Sequence, residues 1–485
     1  MDEEQAIAVF TENQLIAEPQ ALEDIIKKKL DPEKIAEKAR DAGVWFINQE
    51  FLVEYAKVEE KEVVVERTRK CVRSDLPDLL EINGDSDVSG QSTCRGELED
   101  FVSYFNERYK EIGKTLKERI EFRDTVPVSS LKSLPVNGTT KIIGMVSDKR
   151  ESTRYRFLEL EDTQGEITVL LTPNNEKAYN EYDNVLLDDV IGVRGRMNND
   201  LFIAEELTAP DIPLTRTPNY ASEEVYAAFL SDIHVGSYLF QEKQFQSLLN
   251  WLCGSGNNQS ISKKLKYIFI AGDLVDGIGI YPTQEEELVI PDIEKQYDFL
   301  AYLLEQIPKD IRVVAGMGNH DATRIAEPQP RIPEALCPRL YSLENVSVVG
   351  NPVKMSAHGV KILMYHGTSM DSVIANLSGS TYREPDKPMI EYIKRRTLAP
   401  SWGSNLIAPE DRDYLYINEV PDIFHAGHVH TNGYSKYKGV SVINSGTWQG
   451  KTKYQEQLGH QPTPCRLPVM NLSNHDVRIL DFGGS

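Results

Sequence analysis

Apolar positions along this chain follow three successive rhythms. Over about residues 1–70 they recur at helix spacing: Ile7, Val9 and Phe10, then Leu22, Ile25, Ile26 and Leu30. Asp31-Pro32-Glu33 predicts a further helix start, with Asp as N-cap and Pro in the first turn. Together these predict a small helical N-terminal module. The rhythm is lost over 71–98, where Asn83-Gly84-Asp85-Ser86-Asp87 and Ser89-Gly90-Gln91-Ser92-Thr93 are polar and aperiodic. Such a stretch has too little apolar surface to order itself, which predicts a flexible linker. A helix is expected from about Glu97 to Glu111. Strand-like runs then follow at Lys141–Val146, Arg156–Leu160, Gly165–Leu171, Asp189–Gly195 and Leu201–Ala204, with turn residues between them. Asp211-Ile212-Pro213 and Thr217-Pro218 make a stiff connection. Beyond it, residues 215–485 alternate strand-like and helical stretches, with returning strands from Ser441 onward.

Five short strands with a helical stretch before the fourth, Asn175 to Tyr182, fit an OB-fold β-barrel. Its turns are acidic and its strands carry few exposed aromatics, which favours a structural role over nucleotide binding. A chain of 485 residues is too long for one core. Its 40% apolar and 26% charged content is that of a globular protein, and no stretch approaches the roughly 18–20 apolar residues of a membrane span. Met1 to Glu4 is acidic and has no signal-peptide character. The five cysteines, Cys71, Cys94, Cys253, Cys337 and Cys465, form no CxxC pair, so a reducing, cytoplasmic location is expected. A formal net charge of −22 argues against a protein that grips nucleic acid alone; metals, a local basic patch or a basic partner would have to hold a polyanion.

The chemistry is concentrated in five motifs. They are Ser231-Asp232-Ile233-His234, Gly272-Asp273-Leu274-Val275-Asp276, Gly318-Asn319-His320-Asp321, Tyr365-His366-Gly367 and Gly427-His428-Val429-His430. Each follows an apolar run: Tyr226–Leu230, Tyr267–Ala271, Ile311–Ala315, Val360–Met364 and Ile423–Phe424. Polar residues that end buried strands collect at one edge of a sheet, where open α/β sheets bind ligands. An aspartate after a strand more often caps a helix, and a lone histidine is more often packed or on the surface. Here five of nine histidines fall inside the motifs, so the joint pattern carries the signal. Carboxylate oxygen with imidazole nitrogen suits divalent metals. Two such ions about 3.5–4 Å apart can activate a water and clamp a phosphate.

This pattern resembles the calcineurin-like metallophosphoesterase superfamily over nearly all of 225–450. The resemblance implies a first metal held by Asp232, His234, Asp273 and His430. A second would be held by Asp273, Asn319, His366 and His428, with Asp273 bridging. His320 would face the phosphate as a catalytic residue, and Asp321 would orient it. Manganese is the expected metal, with iron, zinc or magnesium as alternatives. The phosphatase branch carries Asp-Arg-Gly after its second motif; here Asp276 is followed by Gly277-Ile278-Gly279. Arg324, Arg395 and Arg396 are candidate phosphate contacts.

The expected fold is therefore multidomain: a helical module (1–70), a linker (71–98), an OB-fold domain with its preceding helix (99–214) and a four-layer α/β phosphoesterase domain (215–485). That order resembles the small-subunit family of archaeal family-D DNA polymerases. Ile143-Gly144-Met145-Val146-Ser147-Asp148-Lys149-Arg150, Glu159-Leu160-Glu161-Asp162, Ala209-Pro210-Asp211-Ile212-Pro213 and Gly459-His460-Gln461-Pro462-Thr463-Pro464 are similar to that family's segments. The resemblance implies a proofreading 3′–5′ exonuclease that acts on DNA 3′ ends beside a large catalytic subunit, with a sliding clamp (PCNA) as a further candidate partner and no membrane. The related eukaryotic subunits have lost metal ligands, whereas every ligand position is filled here. Two other readings stand beside it: a catalytically silent assembly subunit, and a free-standing phosphatase of small phosphoesters.

Overall fold

The computed structural model describes residues 3–13, 15–28, 31–41, 44–48, 51–52, 74–133, 138–457 and 459–483. Two compact units are present, Met1–Cys71 and Val72–Ser485. In the first, helices Glu3–Glu12, Pro19–Lys28 and Pro32–Asp41 enclose a core of Ala6, Phe10, Leu22, Ile25, Ile35 and Ala39. Asp31 caps the third helix as expected, its carboxylate accepting from the Glu33 N–H at 3.1 Å. After the first and third helices, β1 (Ile16–Ala17) and β2 (Phe46–Ile47) pair in parallel, a pairing too short to leave a periodic signal. Leu30 lies outside the described residues.

The second unit holds a barrel and a sandwich. The barrel strands are β4 (Thr139–Glu151), β5 (Arg156–Asp162), β6 (Gly165–Leu171), β7 (Val190–Asn198) and β8 (Leu201–Thr208). Their order is β4-β5-β6-β8-β7, closed by β7 on β4 around Leu158, Leu160, Val169, Val193 and Phe202. The helix Glu176–Glu181, capped by Asn175, precedes β7, completing the OB pattern.

The sandwich strands are β9 (Tyr226–Leu230), β10 (Leu265–Ile270), β11 (Arg312–Ala315), β12 (Val346–Val348), β13 (Val353–Ala357), β14 (Val360–Met364), β15 (Ile423–Ala426), β16 (Asn432–Tyr437), β17 (Val440–Ser445), β18 (Arg466–Asn471) and β19 (Asp476–Asp481). One sheet runs β12-β11-β10-β9-β18-β19; the other runs β16-β17-β15-β14-β13. Strands β9 to β12 are parallel, as are β14, β15 and β17, so each group ends at one edge. Phe229, Phe269 and Val314 of the first sheet meet Met364, Ile423 and Ile443 of the second in a shared core. Tyr226 and Leu230, on the opposite face of β9, are buried as well, so both faces are covered. Crossover helices Glu242–Leu252 and Ile293–Glu305 link β9, β10 and β11. Helices Met370–Asn376 and Asp386–Arg395 pack Met370, Val373, Met389 and Tyr392 on the outer face of the second sheet. The result is four layers, helix–sheet–sheet–helix.

The expected linker is ordered from residue 74 onward; 71–73 lie outside the described residues. β3 (Leu80–Ile82) pairs antiparallel with β13 and extends the second sheet. The Asp87 carboxylate accepts from the Gly350 N–H at 2.9 Å, and Ser92 Oγ donates to Glu410 at 2.6 Å. A stretch too polar for its own core gains order from a sheet edge that offers unpaired backbone groups.

The helix Leu98–Glu118 is longer than expected and bolts barrel to sandwich. Ile112 and Leu116 pack with Ile143, Met145 and Val190 of the barrel and with Tyr416, while Tyr104 enters the sandwich core. One turn on, Arg108 is fully buried. Its guanidinium donates to Asp413 at 3.0 Å, the Pro400 carbonyl at 3.1 Å and the Tyr104 hydroxyl at 2.9 Å. Tyr104 in turn donates to Asp413 at 2.7 Å. Removing one partner of such a pair leaves an uncompensated buried charge. Asp413→Ala is therefore expected to destabilise this unit by about 3–5 kcal/mol in denaturant titration, and the paired change Arg108→Met with Asp413→Leu to recover most of that. A loss below about 1 kcal/mol for Asp413→Ala, the range of an exposed pair, would show that the bolt lies elsewhere.

Candidate metal centre

The carboxyl ends of the parallel strands bring all five motifs to one place. β9 delivers Asp232 and His234; β10 delivers Asp273 and Asp276; β11 delivers Asn319 and His320. From the second sheet, β14 delivers His366, and β15 delivers His428 and His430. Asp232, His234, Asp273, His366 and His430 are buried; Asn319, His320 and His428 are half-buried and form the open side.

Donor atoms converge in two groups that share Asp273. His430 Nε2 lies 3.3 Å from Asp232 Oδ1 and 3.1 Å from His234 Nε2. Asp273 Oδ2 stands between the groups, 3.7 Å from His234 Nε2 and 3.4 Å from His366 Nε2. Asn319 Oδ1 lies 3.0 Å from His366 Nε2 and 3.2 Å from His428 Nδ1. Asp232–His234–His430, His234–Asp273–His320 and Asp232–Asp273–His366 each bring three ligand atoms within 4.8 Å of one another.

The backbone is bent to achieve this. Asp232, His234, Asp273, His428 and His430 all have left-handed φ, between 50° and 70°. Side chains with a Cβ rarely adopt that region, and such strain collects at functional sites.

Hydrogen bonds on the outer side of the rings decide which nitrogens face inward. His234 Nδ1 is 3.0 Å from Asp276 Oδ1, His366 Nδ1 donates to the Ala271 carbonyl at 2.8 Å, and His428 Nε2 is 3.1 Å from Asp371 Oδ2. Acceptors at these positions hold the ring protons outward and leave the opposite nitrogens bare. Bare nitrogens and carboxylate oxygens facing one another repel unless a cation lies between them. The electrostatics agree. Burial alone would raise Asp232 and Asp273, but His430 and His366, and at Asp273 also His320, hold them below the usual range. Burial would lower His366, yet Asp273 and Asp232 push it up to about 10, so a proton on Nε2 can take the place of such a cation. The site is built to attract positive charge, and this donor set fits divalent metal ions.

One expected role changes hands. Asp321 does not touch the His320 ring. Its Oδ2 accepts from the Gly318 and Leu274 N–H groups at 2.8 and 3.3 Å, and its Oδ1 from the Tyr297 hydroxyl at 3.1 Å. Burial and Asp273 push it up to about 7. It ties two motif loops together. The His320 ring is oriented instead by Asp276, whose carbonyl accepts from Nδ1 at 2.7 Å. Asp276 thus serves two rings, His234 through its carboxylate and His320 through its backbone. Gln449 and Gln284 donate to that carboxylate at 2.9 and 3.0 Å.

The three candidate arginines are engaged elsewhere. Arg324 reaches Glu410 at 2.8 Å and the Pro328 carbonyl, Arg395 lies 3.1 Å from Asp189, and Arg396 donates to the Ile417 and Asn418 carbonyls at 2.7 and 2.8 Å. These contacts fix loops and the barrel junction, not a phosphate.

Family models agree with this geometry. The calcineurin-like phosphoesterase model matches residues 226–432, and an OB-fold nucleic acid binding domain model matches 140–212. The DNA polymerase II small subunit of Archaeoglobus fulgidus is 37% identical, over 96% of this chain and 95% of that one. The Methanothermobacter thermautotrophicus protein of the same name is 40% identical, over 82% of each. That of Methanocaldococcus jannaschii is 42% identical, over 83% of this chain and 69% of its own length. The chain belongs to the DNA polymerase II small-subunit family.

Within this family member, Asp276 was legible only as the last residue of the second motif; its position three after Asp273 was the available signal. Partners of a metal-ligating imidazole typically govern 10–100-fold of metal affinity. Asp276→Ala is expected to weaken manganese binding by about that factor in isothermal titration. Unchanged affinity would remove Asp276 from the centre.

Proposed function

We propose that this small subunit is a two-metal 3′–5′ exonuclease that proofreads DNA within a polymerase heterodimer. The observation that carries this reading is the shared Asp273 carboxylate, with one donor group on either side of it and His320 beside it. Asp232, His234, Asp273 and His430 would hold one ion; Asp273, Asn319, His366 and His428 would hold the other. When bound, two such ions activate a water near neutral pH and neutralise charge on a phosphodiester in line with it. Manganese suits the oxygen and nitrogen donors, as do iron and zinc.

The remaining work falls to side chains of the chain itself. His320 Nδ1 is occupied by the Asp276 carbonyl, so Nε2 is the nitrogen left for substrate. Burial pulls His320 below its ordinary value. The neutral ring presents a lone pair at Nε2; once protonated there, it donates to the oxygen that leaves phosphorus. A large polymerase subunit is the expected partner, and it would bring a DNA 3′ end to a chain whose own charge is −22.

The decisive comparison uses manganese and a 3′-mismatched primer–template carrying an internal label, with and without the large subunit. Wild type should shorten the primer stepwise. His320→Ala should lose about 10²–10⁴-fold in rate, the range for a positioned acid–base group, while its metal content stays near wild type. Metal loss in that variant would contradict the role given to His320. Asp273→Ala should empty both metal positions by elemental analysis, and retained activity there would sink the bridging role. An inactive wild type with bound metal, paired with its large subunit, would favour the assembly-subunit reading instead.

A further inference from the structure

The loop that leaves Asp276 builds an apolar rim beside His320. Ile278 and Ile280 are 42% and 37% exposed, and Tyr238, in the loop that follows His234, is 53% exposed. The Tyr281 ring lies 6.3 Å from that of His320. Tyr281 and Tyr238 hang on one residue: the Tyr281 hydroxyl donates to the Glu287 carboxylate at 3.0 Å, and the Tyr238 N–H donates to the Glu287 carbonyl at 2.9 Å. Gln284 clamps the loop to the centre. Its Oε1 accepts from the Ile280 N–H at 2.9 Å, and its Nε2 donates to the Asp276 carbonyl at 2.8 Å. Gly277 has φ of 75°, and a Cβ there would stand 2.4 Å from the His320 carbonyl oxygen, so the loop lies directly against the His320 backbone.

Apolar side chains at the mouth of a polar centre do nothing for a phosphodiester. They match the other surface that a nucleic acid brings, the flat face of a base, which stacks on aromatic and apolar groups whatever its sequence. Most of the ligands are buried, and among the described residues of the centre Asn319, His320 and His428 are the half-buried ones, so a thin, unpaired strand reaches it more readily than a duplex. Resting on the nuclease reading above, we propose that Tyr238, Ile278, Ile280 and Tyr281 receive the unstacked base of the 3′-terminal nucleotide. A mispaired base is already partly released and costs less to turn out than a paired one. The rim thereby converts the pairing state of the terminus into a difference in cleavage rate.

The test uses the full chain with its large subunit and manganese. Two single-stranded oligonucleotides differ only at the 3′ terminus, one carrying a base and the other abasic there. Wild type should favour the base-bearing terminus by about tenfold in kcat/KM, within the range of one base–aromatic stack. Ile280→Ser with Tyr281→Ser should bring that ratio close to one, and Tyr281→Phe should preserve it. Ile278→Ser and Tyr238→Ser, both at exposed positions, should each lower it part-way if the double variant folds poorly. The same losses should narrow the ratio between mismatched and paired primer ends. Equal rates on both oligonucleotides by an active wild type would overturn the rim and leave the nuclease reading standing. A ratio untouched by all three serine variants would do the same, while no hydrolysis of either oligonucleotide by wild type would overturn both.

Discussion

Two buried carboxylates, Asp232 and Asp273, face imidazole nitrogens, and on His234, His366 and His428 an acceptor holds one ring proton on the far side. Nothing in that arrangement is neutral at close range. The Asp273 oxygen and the inward nitrogens of His366 and His234, at 3.4 and 3.7 Å, repel as lone pairs unless positive charge intervenes. Left-handed backbone at five of these positions adds strain that only a firm scaffold can sustain. The sandwich supplies that scaffold. Its two sheets share one core, and their parallel strands end at a common edge, so ligands from both sheets are fixed relative to one another.

The same centre depends on the helix that joins barrel to sandwich. Arg108 anchors to Pro400 and Asp413, which lie on one long loop of the phosphoesterase region. The Leu406 carbonyl of that loop accepts from the Glu327 N–H at 2.9 Å. Glu327 receives the Tyr365 hydroxyl at 2.8 Å, and Tyr365 immediately precedes His366. Burial, only partly offset by Tyr365, pushes Glu327 up to about 7. One loop thus links the barrel-side helix, through Pro400 and Asp413, to the Glu327–Tyr365 pair beside His366. Barrel and sandwich lie in one compact unit, joined by these contacts.

Much of this was legible in the sequence because strand-ending motifs are local signals. Buried runs such as Tyr226–Leu230 and Val360–Met364 are the observed strands residue for residue. Alternation in the barrel fixed its five strands for the same reason, each strand being half of a period-two pattern. The ordering of 74–98 was not legible. It depends on an edge offered by β13 and on Asp87 and Ser92 finding distant partners, which no local composition encodes. The three arginines were misread for a related reason: a positive side chain near a phosphate site looks free until its carboxylate or carbonyl partner, far away in sequence, is known. His425 shows the converse, a histidine close to the motifs yet purely packed. Burial drives it down to about 3, with Ser445 beside its Nε2.

The exchange of roles between Asp321 and Asp276 says most about how the centre works. Asp321 neighbours His320 in sequence, but the turn after β11 directs its carboxylate inward to the Gly318 and Leu274 N–H groups. Asp276 comes from another strand and meets His234 with its side chain and His320 with its carbonyl. One residue therefore sets the inward nitrogen of both rings, the one that would face a metal in His234 and the one that would face substrate in His320. The rim loop begins at the next residue, Gly277, and Gln284 ties it back to both polar groups of Asp276. A shift of that loop would move the Asp276 peptide, and with it the acceptor that aims His320. On the proposed reading, contact at the rim and alignment at the centre would be mechanically one event, which is the property an exonuclease needs if it is to cut only when a terminus is seated.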